Sequence, residues 1–233
     1  MLRKPLRGLD GFPLVPRYKP PQMQGGIHEK EFTSVVPDYA THYFLKDKEP
    51  FLNLSDLPED KLKSVVNELD SCRTKGNGFN RVYGGRYMEL RRKTEQKLRN
   101  LFILSGGNPK RKAPHYFVLG ESYWFKNLTS GTNEVRIPLS SFPSDAISFT
   151  YPDSFVSMGF MPEFGLKVDK KDYHGKVFSL HDLESIIDKY GLPEDDFSHD
   201  YGNYVNEKFE KFIEIQVWDE TPIQWLNDNG ITI

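Results

Sequence analysis

One cysteine, Cys72, in 233 residues excludes a disulfide framework and a cysteine-rich zinc site; it falls on the apolar stripe of an expected helix and reads as packing. The six histidines are scattered, with no His-Glu-x-x-His, no paired Cys/His spacing and no Asp/Asn-rich calcium loop, so no metal is implied. No glycine pattern forms a P-loop or a dinucleotide fingerprint. Gly76, Gly78, Gly84 and Gly85 read as loop and helix-start glycines and Gly106-Gly107 as a helix C-cap. A serine nucleophile elbow is absent too. No run approaches the roughly 20 apolar residues of a membrane-spanning helix, and the N-terminus lacks the apolar core of a signal peptide. The expectation is therefore no membrane and a cytoplasmic location.

What is present suits one large globular unit: 37% apolar and 14% aromatic residues can bury a sizeable core. Residues 1–36 are rich in Pro, Gly and basic side chains and read as an extended arm, leaving 37–233 as a single domain. Strands are expected at Thr41 to Leu45, Tyr116 to Leu119, Val135 to Leu139 and Ile147 to Tyr151. A helix starting near Pro58 carries Leu62, Val65, Val66, Leu69 and Cys72 on a face expected to dock on a sheet. Another spans Arg86 to Leu104, and a third follows the Ser179/Asp182 capping pair and stops at Gly191. Thr221-Pro222 starts one helical turn, and a short strand at 231–233 ends the chain. Without a regular βαβ rhythm, this mixture predicts α+β with a mostly antiparallel, bent or split sheet and flanking helices.

The stretch Lys211-Phe212-Ile213-Glu214-Ile215-Gln216-Val217-Trp218 alternates so that Ile213, Ile215 and Val217 share one face. The other face sets Glu214 and Gln216 between two large aromatic rings. Two readings are open: an exposed or ion-paired carboxylate, or a carboxylate in the wall of a cleft.

Net charge is −2 but unevenly spread. Between Arg73 and Lys112 twelve basic residues face only Glu89 and Glu95. Such a block suits the phosphates of a nucleotide or nucleic acid, or equally a solvated helix face. Tyr83, Tyr87, Tyr116, Tyr123 and Trp124 could offer stacking platforms for bases.

The order of motifs resembles the DarT-type ADP-ribosyltransferases over about four fifths of the chain. Phe212 to Val217, then Pro222-Ile223-Gln224-Trp225-Leu226 and Gly230-Ile231-Thr232, are similar to that family's closing segment, whose strand carries the catalytic glutamate. Val177 to Leu183, Ser148 to Ser154, Met88-Glu89-Leu90-Arg91-Arg92, and His42 with Asn53-Leu54 are similar to its earlier motifs, in the same order. The chain departs from the pattern in a longer His-to-Asn spacing, in Asp153 where the family has Arg, and in 100–133, which reads as an insertion.

The resemblance implies an ADP-ribosyltransferase-like fold and a reaction in which NAD is the substrate. Glu214 would stabilise the oxocarbenium-like ribose, and Arg91 or Arg92 would bind the pyrophosphate or the acceptor. His42, Asn53, Phe149, Tyr151 and Ser154 would line the NAD site. His42 beside Tyr43 and Phe44 also reads as a satisfied structural histidine, and the Phe149/Tyr151 pair as core. The implied acceptor is nucleic acid, chiefly single-stranded DNA, with a toxin-like activity held in check by an antitoxin or neutralising protein. Other readings are the same fold modifying RNA or protein, a non-catalytic nucleic-acid-binding module, and an interaction protein docking through its arm. A metal-dependent nuclease built on Asp195, Asp196 and Asp200 ranks lower, since those acids have no companion motif.

Overall fold

Five strands make one sheet, β1 (Tyr39–Leu45), β2 (His115–Leu119), β3 (Thr132–Pro138), β4 (Ile147–Thr150) and β5 (Glu214–Val217), in the order β3-β1-β2-β5-β4 with every pairing antiparallel. Among the described residues the α-helices are α1 (Glu59–Thr74), α2 (Tyr87–Leu104), α3 (Tyr123–Lys126), α4 (Ser154–Ser157), α5 (Leu183–Tyr190) and α6 (Thr221–Asp228). This computed structural model describes residues 36–74, 86–126, 132–160, 162, 169–193 and 211–231, all within one compact unit. The arm up to residue 35, the Cys72 side chain, Gly76 to Gly85, the acids at 195–200 and the last two residues lie outside the described residues.

The sheet has two unlike faces. Alternation along the strands sends Ala40, Phe44, Phe117, Ile147, Phe149, Ile215 and Val217 into the main core, where Leu183, Ile186 and Ile187 of α5 and Leu226 of α6 cover them. Along β5 the intervening residues are Glu214 and Gln216. Register sets Glu214 opposite Val118 and Thr150, and Gln216 opposite Tyr116 and Ser148, so this second face is polar along three strands. Helix α2 packs on it at one end, where Leu98 and Phe102 bury against Trp218, each contributing about 2–3 kcal/mol.

Local signals explain the boundaries. Helix α2 ends at the Gly106-Gly107 pair: Gly106 takes φ +95°, and the Gly107 N–H returns to the Phe102 carbonyl at 2.9 Å. A Cβ on Gly107 would meet the Phe102 ring at 2.4 Å. The Ser179/Asp182 capping box forms a 3-10 turn that leads into α5, which stops at Gly191 with φ +78°.

Four expectations change. The sheet is continuous, because β5 joins β2 to β4 without a break. The stretch 100–133 is no peripheral insertion, since it supplies β2, the middle strand. Helix α6 runs eight residues instead of one turn, as Pro222 in its first turn is tolerated and Leu226 finds the core. Among the described side chains of α1 only Leu62 is fully buried, with Val65, Val66 and Leu69 partly exposed, so this part of its apolar stripe is covered most closely at Leu62.

Candidate active site

The polar face of the sheet carries a connected hydrogen-bond ladder ending at Glu214. The Trp218 indole Nε1 donates to Ser148 Oγ at 2.9 Å, and Ser148 Oγ donates to Gln216 Oε1 at 2.9 Å. Gln216 Nε2 then donates to Thr150 Oγ1 and to Glu214 Oε1, both at 3.1 Å. Gln216, Ser148 and Thr150 are wholly buried, so each of these polar groups needs the partner it has.

Glu214 is held from a second side by the turn that precedes α4. Its own N–H donates to the Pro152 carbonyl at 3.2 Å, and the Ser154 hydroxyl and backbone amide donate to its carboxylate. Asp153 caps α4 in the same turn, its Oδ1 accepting from the Phe155 and Val156 amides at 2.8 and 3.1 Å. Burial lifts the Glu214 carboxyl above its ordinary range, against the hydrogen bonds from Ser154 and Gln216 and the positive charge of Arg91. Burial, with the negative charge of Glu214 added, pushes Asp153 up to about 7.

Across β2 from Glu214, Arg91 reaches in from α2. Its Nε donates to Glu95 Oε1 at 2.9 Å and to Ser55 Oγ at 3.2 Å, its Nη1 to Tyr87 Oη at 3.0 Å and its Nη2 to Asn53 Oδ1 at 2.9 Å. The guanidinium carbon stands 5.0 Å from the centre of the Tyr116 ring. Glu95 Oε1 also accepts from Ser55 Oγ at 2.9 Å and from Tyr116 Oη at 3.3 Å. Burial first, and then the Glu95 charge, drives the Tyr116 hydroxyl well above its usual range, so it stays a donor. A guanidinium has five N–H groups, and these contacts leave one on each terminal nitrogen.

Of the residues singled out in the sequence, Glu214, Ser154, Arg91 and Asn53 therefore converge. Asn53 acts through its neighbours, with Oδ1 accepting from the Ser55 amide as well as from Arg91 and Nδ2 donating to the Pro114 carbonyl at 3.0 Å. Arg92, one residue and about 100° further round α2, points elsewhere and pairs with Glu59 of α1 at 2.6 Å.

His42, Phe149 and Tyr151 lie on the opposite, apolar face. His42 Nδ1–H donates to the Tyr116 carbonyl at 2.9 Å while Nε2 accepts from the Phe51 amide at 3.0 Å, which fixes its neutral tautomer. Burial pushes it down to about 4. Its role there is structural: β1 and β2 pair only at Ala40–Leu119 and Thr41–Val118, and beyond that the imidazole substitutes for the ladder. Phe149 is core, stacked on Phe178 at 5.3 Å, and the Tyr151 hydroxyl donates to the Tyr190 and Gly191 carbonyls.

Sequence reading passed over Glu95, Ser55 and Asp153 as functional residues. For Glu95 a signal existed: Arg91 and Glu95 are spaced i, i+4 on one helix, the separation at which opposite charges meet. Nothing in the sequence would have joined Ser55 to them.

Arg73, Lys75 and Arg81 lie outside the described side chains, and the described part of the basic block is largely occupied by internal partners. Arg86 and Lys93 meet Glu89, Arg111 meets Asp56 and Glu220, Arg99 donates to the Arg111 and Pro109 carbonyls, and Lys97 donates to the Met158 carbonyl. Along the outer side of α2 an open groove of about 510 Å³ is lined by Arg92, Lys93, Gln96, Lys97, Asn100 and Leu101. Tyr87 and Tyr116 are tied to Arg91, Trp124 packs against Phe125 and Phe212, and Tyr123 stays exposed. Among the described residues no group of His, Cys, Asp or Glu could hold a metal ion, and no helix is long and apolar enough to cross a membrane.

No family model, no curated protein and no solved structure matches this chain.

Proposed function

We propose that the chain is an NAD-dependent ADP-ribosyltransferase with Glu214 and Arg91 at its centre. The observation that supports this is that a partly buried strand carboxylate and a braced guanidinium, 123 residues apart in sequence, lie within electrostatic reach of each other and of the Tyr116 hydroxyl. The carboxylate has hydrogen bonds fixing both its sides, and the guanidinium has two N–H groups left for a ligand. In the proposed reaction the bond between ribose C1′ and the nicotinamide nitrogen breaks with its electron pair going to nicotinamide. The ionised Glu214 stabilises the positive charge on the ribose, an acceptor lone pair forms the new bond to C1′, and the acceptor proton passes to Glu214 and from there to water. Arg91 binds the pyrophosphate through its two remaining N–H groups. Ser154 and Gln216 hold Glu214, and Asn53 holds Arg91.

The acceptor in this reading is single-stranded nucleic acid lying in the groove on the outer side of α2, with Arg92, Lys93 and Lys97 against its phosphates. A toxin-like activity, a neutralising partner and a cytoplasmic site of action belong to the same proposal. His42, Phe149 and Tyr151 act as supports of the sheet.

The test is release of nicotinamide and transfer of label from NAD to single-stranded DNA, RNA and protein, by wild type and Glu214→Gln. The expected loss in the variant is on the order of 10²–10³-fold with the circular dichroism spectrum unchanged. Wild type that turns over no NAD with any acceptor overturns the proposal. Salt-sensitive nucleic-acid binding, without turnover and indifferent to Glu214, would point to a binding module seated on the α2 groove.

A further inference from the structure

Glu214 and Asp153 are two carboxylates fastened to one turn. Glu214 bonds the Ser154 amide and hydroxyl and sends its own N–H to Pro152, while Asp153, the residue between them, caps α4. Both amide bonds from α4 fall on Asp153 Oδ1, leaving Oδ2 to carry a proton. Among the described residues the charges facing the pair are few. Helix α4 has no titratable side chain, β2 offers the Tyr116 hydroxyl, and α2 offers Arg91 with its partner Glu95, and Lys97, which ends on the Met158 carbonyl. Arg91 acts on Glu214 and is itself shared with Glu95, so the cationic charge nearby does not neutralise two carboxylates.

We propose that Asp153 and Glu214 titrate as one carboxyl pair sharing a single proton, held on Asp153 when Glu214 faces Arg91, so that Asp153 sets the charge Glu214 presents to a bound ribose. Two like charges fastened to one turn do not both ionise without cost, so the group that ionises second, Asp153, has its midpoint raised by the charge of the first. Asp153 is a positioning residue here, acting through Glu214. The catalytic part of this statement rests on the transferase reading; the proton sharing does not.

Asp153→Asn separates the two. Asparagine caps a helix as well as aspartate does, so α4 keeps its start while the second charge is lost, and Asp153→Ser serves as a second capping variant. The first measurement needs no substrate: carbon-13 NMR titration of side-chain carboxyls in wild type, Asp153→Asn and Glu214→Gln. The expected result is a fall of about one pH unit or more in the Asp153 midpoint on Glu214→Gln, with the Glu214 midpoint little moved by Asp153→Asn, because asparagine stands in for the protonated aspartic acid. An Asp153 midpoint unmoved by Glu214→Gln overturns the pair. The second is the pH profile of NAD turnover, in which the inflection at the Asp153 midpoint should vanish in Asp153→Asn and Asp153→Ser while the acid limb set by Glu214 stays in place. An inflection that persists at the same pH in both variants overturns Asp153's role in setting the charge beside the ribose. A moved Asp153 midpoint in an enzyme that turns over no NAD leaves the pair standing and removes the transferase reading.

Discussion

Replacing Arg91 by alanine should destabilise the protein by about 3–5 kcal/mol, because of what it leaves behind more than what it removes. Glu95 has only 5% of its side chain exposed, and Arg91 is the one charged group that bonds it. Without the guanidinium its carboxylate keeps two neutral donors, the Ser55 and Tyr116 hydroxyls, and must stay desolvated with its charge uncompensated. Asn53 Oδ1 keeps its bond from the Ser55 amide, so that atom contributes little. Glu95→Gln alone removes the charge but keeps an acceptor, and should cost about 1–3 kcal/mol. The decisive comparison is the double variant. With no buried charge left unpaired, Arg91→Ala/Glu95→Gln should be more stable than the sum of the singles by about 2 kcal/mol, read from urea unfolding at constant slope. Strict additivity within 0.5 kcal/mol, or an Arg91→Ala cost below about 1 kcal/mol, would refute the view that the arginine is held by a buried carboxylate. The site assignment would lose its second half.

Gln216→Leu should cost about 2–4 kcal/mol and lower Tm by roughly 4–16 °C, since it leaves the Ser148 hydroxyl without its acceptor and frees Glu214 on one side; a loss under 1 kcal/mol would mean the ladder is not coupled. His42, pushed down to about 4, binds fewer protons in the folded chain than unfolded between that pH and about 6.5. Its share of stability, about 3 kcal/mol, is complete above pH 6.5 and is lost as pH falls toward 4. Asp153 works the other way: its raised midpoint makes the folded chain bind more protons, so its share is lost as pH rises from about 4 to 7. Wild-type stability should thus be nearly flat across this range, rising with pH in Asp153→Asn and falling in His42→Asn; identical slopes in all three would refute both assignments.

Alternation made β5 legible, because Ile215 and Val217 need a dry face and so assign Glu214 and Gln216 to the other before any fold is known. Capping chemistry did the same for α5, and the glycine pair for the end of α2. What local pattern could not supply was which partner each polar residue meets. Arg91 and Arg92 are alike in sequence, and only the rotation of α2 against the sheet sends one toward Glu95 and the other to Glu59. His42 was implied as a ligand by the family resemblance alone, while its neighbours Tyr43 and Phe44 suited the structural histidine that it is. The stretch holding β2 read as an insertion only against the family's motif order, while its strand at Tyr116 to Leu119 was legible from β-branched and aromatic residues.

The distance in sequence between β2 and β5 governs how the molecule assembles. Of the five described strands β5 is the last in sequence, yet it sits between β2 and β4, and without it the others are a three-stranded piece, β3-β1-β2, and a lone β4 that does not pair with it. Joining them requires closing a long loop, an entropically late event. Glu214 rides on that strand, so the carboxylate arrives in the same step that unites the sheet. A partly folded chain can own a hydrophobic layer and α2 with its arginine, but Glu214 is not brought to the same side of the sheet as that arginine until folding is finished.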